Sequence, residues 1–161
     1  MRLFVATAIA TLLALLTACG GGGKDSPRAV AEAAVAAISA GDVEGFVGLM
    51  PPASALNGSV DCSSIDKDLV AQLERAKDKY RKRAATKMRG ITMTLKAFDG
   101  DGSGDKSVTA GETFEGCAVT KDFVLHRSRM LLDVTKDGET EEKDDTWQFI
   151  RLDGAWYFVK M

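Results

Sequence analysis

Hydrophobic periodicity switches at Gly90, and that switch is what most constrains the fold. Before it, apolar residues recur at three- and four-residue intervals; after it, they alternate. Val30, Ala34, Ala37 and Ile38 trace a first helix, with Ser26 as N-cap, Pro27 at the first helical position and Gly41 as its stop. Asp42 caps a second, short helix carrying Val43, Phe46, Val47, Leu49 and Met50, and Pro51-Pro52 ends it. Residues 53–62 read as a loop. A third helix is expected from about Ser64, with Ile65, Leu69, Leu73, Ala76 and Tyr80 on one face, fraying near Ala85.

Beyond Gly90, Ile91, Met93, Leu95 and Ala97 point one way and Thr92, Thr94 and Lys96 the other, as in a half-buried strand. The glycine-rich loop from Asp99 to Gly104 ends it. Further strands are expected from about Lys106 to Thr113 and on toward Cys117, from Phe123 to Thr135, from about Asp144 to Leu152, and from Ala155 to Lys160. Asp137-Gly138 and Asp153-Gly154 are tight-turn signals between them. Helices first and antiparallel strands afterwards predict an α+β fold, with N-terminal helices packed on one face of a curved antiparallel sheet of about 4–5 strands.

The extreme N-terminus has a different character. Arg2 gives a positive start, and Leu3 to Leu16 carries no charge and only threonines as polar residues. Leu16-Thr17-Ala18-Cys19 follows, then Gly20 to Gly23. A charged start, an apolar middle and small residues before a cleavage point have the form of a signal peptide. The apolar run falls short of the roughly 20 residues that span a bilayer. Leu16 to Cys19 resembles the lipobox of bacterial lipoproteins, which implies cleavage before Cys19 and acylation of its thiol and amine. Ordinary secretory cleavage without lipid is the alternative. The resulting division is a cleaved signal over 1–18, a lipidated Cys19 with a flexible tether over 19–26, and a single α+β domain over 27–161. Gly20, where the lipoprotein family uses Asp for inner-membrane retention, implies the outer membrane, facing the periplasm, in a double-membraned bacterium.

Without residues 1–18 the chain keeps 20 basic and 23 acidic side chains, a formal charge of −3. Neither that balance nor an exported address suits a nucleic-acid partner. Cys62 and Cys117 remain once Cys19 is set aside, and in an oxidising compartment they are expected to pair. Their spacing is far from Cys-x-x-Cys, and the single histidine, His126, cannot complete a zinc site with them. No cofactor is called for.

Two stretches carry a further likeness. The segment from Pro27 to Met50, with Ala40-Gly41-Asp42 leading into the short second helix, resembles the start of the nuclear-transport-factor-2-like superfamily, whose domain is a cystatin-like cone. The closing run from Trp147 to Val159 resembles its end. The likeness implies a cone-shaped α+β domain with a pocket between helices and sheet, which several relatives use for proton abstraction by an acidic residue. Tyr80, Trp147, Phe149, Trp156 and Phe158 then either line that pocket or pack across strands.

Candidate chemistry is sparse. Asp99, Asp101 and Ser103, with Gly104 sixth, copy the opening of a calcium loop, but Lys106 and Ala110 stand where an apolar residue and a bidentate Glu belong. A hairpin loop with solvated aspartates is the favoured reading. His126 reads as a packing or strand-surface residue ahead of a general base, no Gly-x-Ser-x-Gly elbow is present, and no catalytic residue is assigned. The end of the third helix is basic, with Arg75, Lys77, Lys79, Arg81, Lys82, Arg83, Lys87 and Arg89; the 136–146 hairpin is acidic. Each is either a solvated face or a docking surface for anionic lipid head groups or an envelope protein. The expected function is that of a non-enzymatic, membrane-tethered envelope lipoprotein binding a protein partner or a small ligand. A small enzyme using the cone pocket, or a calcium-dependent module, is the alternative.

Overall fold

A computed structural model describes residues 24–65, 68–99 and 104–160, with the side chain of Lys87 excepted. Residues 1–23, which hold the signal, Cys19 and the glycine tether, lie outside the described residues, as do Asp101 and Ser103. In chain order the elements are α1 (Pro27–Ala40), α2 (Val43–Gly48), α3 (Ala53–Asn57), β1 (Val60–Asp61), α4 (Leu69–Lys87), β2 (Ile91–Asp99), β3 (Asp105–Val108), β4 (Thr113–Phe114), β5 (Cys117–Val119), β6 (Phe123–Lys136), β7 (Glu139–Leu152) and β8 (Ala155–Lys160). The fold is α+β, with the helices N-terminal to a curved antiparallel sheet of five strands.

The helix ends follow local chemistry. Ser26 Oγ accepts from the Ala29 N–H at 3.1 Å, and Gly41, at φ 68°, turns the chain out of α1. Asp42 Oδ1 accepts from Gly45 N–H at 2.8 Å, and a Cβ on Gly45 would sit 2.1 Å from the same carboxylate, so cap and glycine need each other. The third long helix starts later than its apolar spacing predicts. Asp61 Oδ1 accepts from the Ser63 N–H, and Ile65 N–H donates to the Cys62 carbonyl, so a turn occupies 61–65 and leaves Ile65 exposed. Asp68, whose carboxylate accepts from Ala71 N–H at 2.8 Å, is the actual cap of α4. The expected loop over 53–62 holds α3 and β1 instead.

β6 organises the sheet. One edge pairs with β7 over residues 124–136; the other pairs with β2 over residues 129–136 and with β3 over 123–126. Since β2 and β3 both run antiparallel to β6, they lie end to end on one edge. β2 and β3 pair with β6 and not with each other, so the hairpin expected there is absent. A bulge at Lys96, where Leu95 faces Leu132 and Ala97 faces Leu131, reverses the strand's alternation. Phe98 therefore packs inward, and Ala97, expected to, is exposed. β7 begins at Glu139, earlier than expected, and the strand expected from Lys106 breaks after Val108.

Both faces are covered where the start of β6 meets the end of β7. On one, Trp147, Phe149, Phe158, Met130 and Leu132 meet Val30, Ala34 and Ile38 of α1, Phe46 of α2, and Leu73, Ala76 and Tyr80 of α4. On the other, Phe123, Ile150, Leu152 and Tyr157 meet α3 and the small sheet of β1, β5 and β4. Edges are tied as well. Ser39 Oγ on α1 accepts from Met93 N–H at 2.8 Å and donates to the Met93 carbonyl at 3.1 Å. The Trp156 and Phe158 N–H groups on the outer edge of β8 donate to the carbonyls of Lys24 and Leu49, each at 2.8 Å.

Cys62 and Cys117 are bonded, as expected, directly beyond the β1–β5 pairing of Asp61 with Ala118. The bond spans 55 positions and holds the small sheet against the second cluster. Replacing both cysteines by alanine is expected to cost about 3–4 kcal/mol of unfolding free energy in urea titrations of the folded body.

Candidate functional site

Three chemically capable side chains that are separate in sequence meet on one face of β6. Asp105 pairs with His126 across β3 and β6, and Ser128 follows two residues on, on the same side of the strand. His126 Nδ1 lies 2.5 Å from Asp105 Oδ1, and its Nε2 lies 3.0 Å from Ser128 Oγ. Ser128 Oγ also donates to the Asp99 carbonyl at 3.3 Å. An Asp–His–Ser line is the constellation of nucleophilic hydrolysis. Here the serine has no access to a substrate. Ser128 is fully buried, His126 is 3% exposed, and the imidazole sits among Phe98, Phe149 and Trp156 with ring centroids about 6 Å away. A nucleophile must reach a reacting carbon, and this hydroxyl reaches only its own fold.

What the line does is join three strands. Asp99 ends β2 and Asp105 begins β3, so His126 and Ser128 of β6 bond the facing ends of both strands. Gly104 completes the junction: its carbonyl accepts from the Arg127 N–H, and a Cβ there would lie 2.2 Å from the Arg127 carbonyl oxygen. Asp99, the one described member of the calcium candidate, is exposed and contributes its carbonyl to this brace. Among the described residues no group of three or more His, Cys, Asp or Glu is placed to hold a metal.

Open volume lies in two places. A cavity of about 470 Å³ opens where the end of α1, the start of α2, the end of α4 and the start of β2 converge. Its walls are Ala37, Ile38, Phe46, Ala84, Met88 and Ile91, with Asp42, Arg89 and Thr92 also lining it. Small side chains at 37, 40, 84 and 85 and glycines at 41 and 90 are what leave the space empty. A second hollow, about 740 Å³, lies between the first turns of α4, the β4–β5 turn and the other part of the sheet, with Gln72, Lys106, His126, Arg127 and Gln148 among its lining groups.

The five aromatic candidates are brought together by packing. Phe158 touches Phe46 at 5.3 Å, Trp147 at 5.4 Å and Tyr80 at 6.0 Å between centroids, and Trp156 packs edge-on to His126. Apart from Phe149, at the second hollow, they line neither space. Phe46 and Met88, which do line the first, carried no signal in sequence beyond being apolar.

The two charged regions answer to different partners. In the acidic hairpin, Lys96 pairs with Glu142 at 3.1 Å and with Asp133 at 3.5 Å, and Arg129 pairs with Asp144. The Arg129 hydrogen bond holds the Asp144 carboxyl below the usual range, and the Glu142 hydrogen bond holds the Lys96 ammonium above it. On α4, Arg81 bonds Glu44 of α2 and Asp78, lowering the Glu44 pKa, and Lys77 bonds Glu74.

No protein-family model matches the chain, and no curated protein or solved structure matches it. If the Asp105–His126–Ser128 line is a brace, Ser128→Ala should cost about 1–3 kcal/mol in urea unfolding by leaving a buried imidazole nitrogen without its partner. A change within about 0.5 kcal/mol, the range of surface substitutions, would remove that role.

Proposed function

We propose that this chain is a lipid-anchored protein of the bacterial cell envelope whose folded body binds an apolar small ligand without transforming it. The observation that carries the binding half is the cavity at the convergence of α1, α2, α4 and β2. Its 470 Å³ falls within the range of about 300–1,000 Å³ usual for small-molecule sites, and its walls are mostly aliphatic with a few polar groups at hand. The absence of catalysis is inferred from the burial of the nucleophile: Ser128 is fully enclosed, His126 borders the second hollow but is only 3% exposed, and the walls of the first cavity hold no histidine or cysteine.

The anchoring half rests on Leu16 to Cys19 and on the chain that follows. Among the described residues no helix is long and apolar enough to cross a membrane, so attachment in this proposal comes from acyl chains on Cys19. Two or more such chains give stable attachment, at about 0.8 kcal/mol per buried methylene. The nuclear-transport-factor-2-like reading is part of the same proposal and is supported by Gly41, which closes α1 in the left-handed conformation before Asp42 caps α2.

Two measurements test the halves separately. Cells fed radiolabelled palmitate should label the wild-type chain and leave Cys19→Ser unlabelled; equal labelling would refute the anchor. For the cavity, 1-anilinonaphthalene-8-sulfonate should bind the folded protein at one site, and Ala84→Phe should weaken that binding by about tenfold or more through filling the space. The same variant should unfold at an unchanged or higher urea concentration, and unaltered dye binding would refute the site.

A further inference from the structure

We infer that the outer strip of α4 lies against the anionic head groups of the bilayer that holds Cys19. This rests on the lipid-anchor reading, and it adds an orientation that anchoring alone does not supply. Lys24 is the first described residue after the glycine run, and it is fixed to the body from three directions. Its carbonyl accepts from the Trp156 N–H at 2.8 Å, its ammonium donates to the Gly48 carbonyl at 3.0 Å, and the same ammonium lies 4.5 Å from the centre of the Tyr157 ring. Lys24 lines one groove together with Glu74, Lys77 and Arg81 of α4. Lys24 therefore sits beside the flank of that helix that carries Lys77 and Arg81.

Reach then limits where the helix can be. Five residue steps separate Cys19 from Lys24. Fully extended they span at most about 18 Å. That keeps Lys24 within about 18 Å of the lipid surface, near enough for the body to turn the exposed flank of α4 onto it.

Charge decides which part of that side faces inward. Arg75, Lys79, Lys82 and Arg83 are exposed and have no acidic partner among the described residues, whereas Lys77 and Arg81 are already paired. Positions 75, 79, 82 and 83 recur at helical spacing and form one continuous strip. The hairpin carboxylates do not neutralise it, because Glu142, Asp144 and Glu141 are bonded to Lys96, Arg129 and Lys143 of their own sheet. Four unpaired cations on a rigid helix, held within reach of a lipid surface, complement phosphate head groups.

The test uses the acylated protein, purified from cells expressing the full chain and reconstituted into vesicles of phosphatidylcholine alone or with about 30% phosphatidylglycerol. Pulse acetylation read by mass spectrometry reports the accessibility of each lysine. Lys79 and Lys82 should react about fivefold more slowly on the anionic vesicles, while Lys136, on the β6–β7 hairpin, keeps its rate. The protection should vanish in about 1 M salt, where the Debye length falls to about 3 Å. Arg75→Gln with Arg83→Gln, both at exposed positions, should restore the reactivity of Lys79 and Lys82. Equal rates on the two vesicle types, with the protein floating on both, would overturn the docking and leave the anchor standing. Failure to float with either would overturn the anchor and the docking together.

Discussion

The rest of the structure depends on the backbone ladder of β6, which is hydrogen-bonded on both edges. Residues 124–136 pair with β7, and the other edge pairs with β2 and β3. A strand in that position has no freedom of register, since a slip of one residue would exchange the side chains of the two clusters. Met130 and Leu132 face the helices, while Phe123 faces the disulfide-bonded small sheet. The helix ends that enclose the 470 Å³ cavity are placed by the same ladder, through α1 held to Met93 of β2.

Burial gives familiar chemistry a different role here. Asp105, His126 and Ser128 have the identities and distances of a hydrolytic line, yet the serine is enclosed and the imidazole is surrounded by aromatic rings. In a low-dielectric interior, a satisfied polar chain is directional in a way apolar packing is not, and an unsatisfied one is costly. Such a chain suits the place where two edge strands meet end to end, and it fixes Asp99 and Asp105 to β6 at defined points.

Charge is divided between a self-contained part and an unanswered part. The acidic arm of β7 is matched by cations on β2 and β6, its neighbours in the same sheet, and its exposed carboxylates guard an edge that β8 is too short to cover. α4 satisfies only its flank toward α2, through Arg81 and Glu44. Its strip of 75, 79, 82 and 83 is left facing outward. That asymmetry, together with the fixed position of Lys24, gives the body a distinguishable side.

Wherever structure follows from neighbours a few positions apart, it was legible in the sequence. The caps at Ser26 and Asp42, the stop at Gly41, the turns at Asp137-Gly138 and Asp153-Gly154, and the switch of period at Gly90 are local events, and they set the α+β class. The Cys62–Cys117 bond was legible too, because two thiols left one pairing to consider. What the tertiary structure alone decided depends on registers and distances across the sheet. The bulge at Lys96 that turns Phe98 inward, the end-to-end placement of β2 and β3, the meeting of Asp105 with His126, and the space between four element ends all arise where segments remote in sequence converge. Periodicity describes which way a side chain points along its own strand or helix. It carries no information about what stands opposite, and a site is made of what stands opposite.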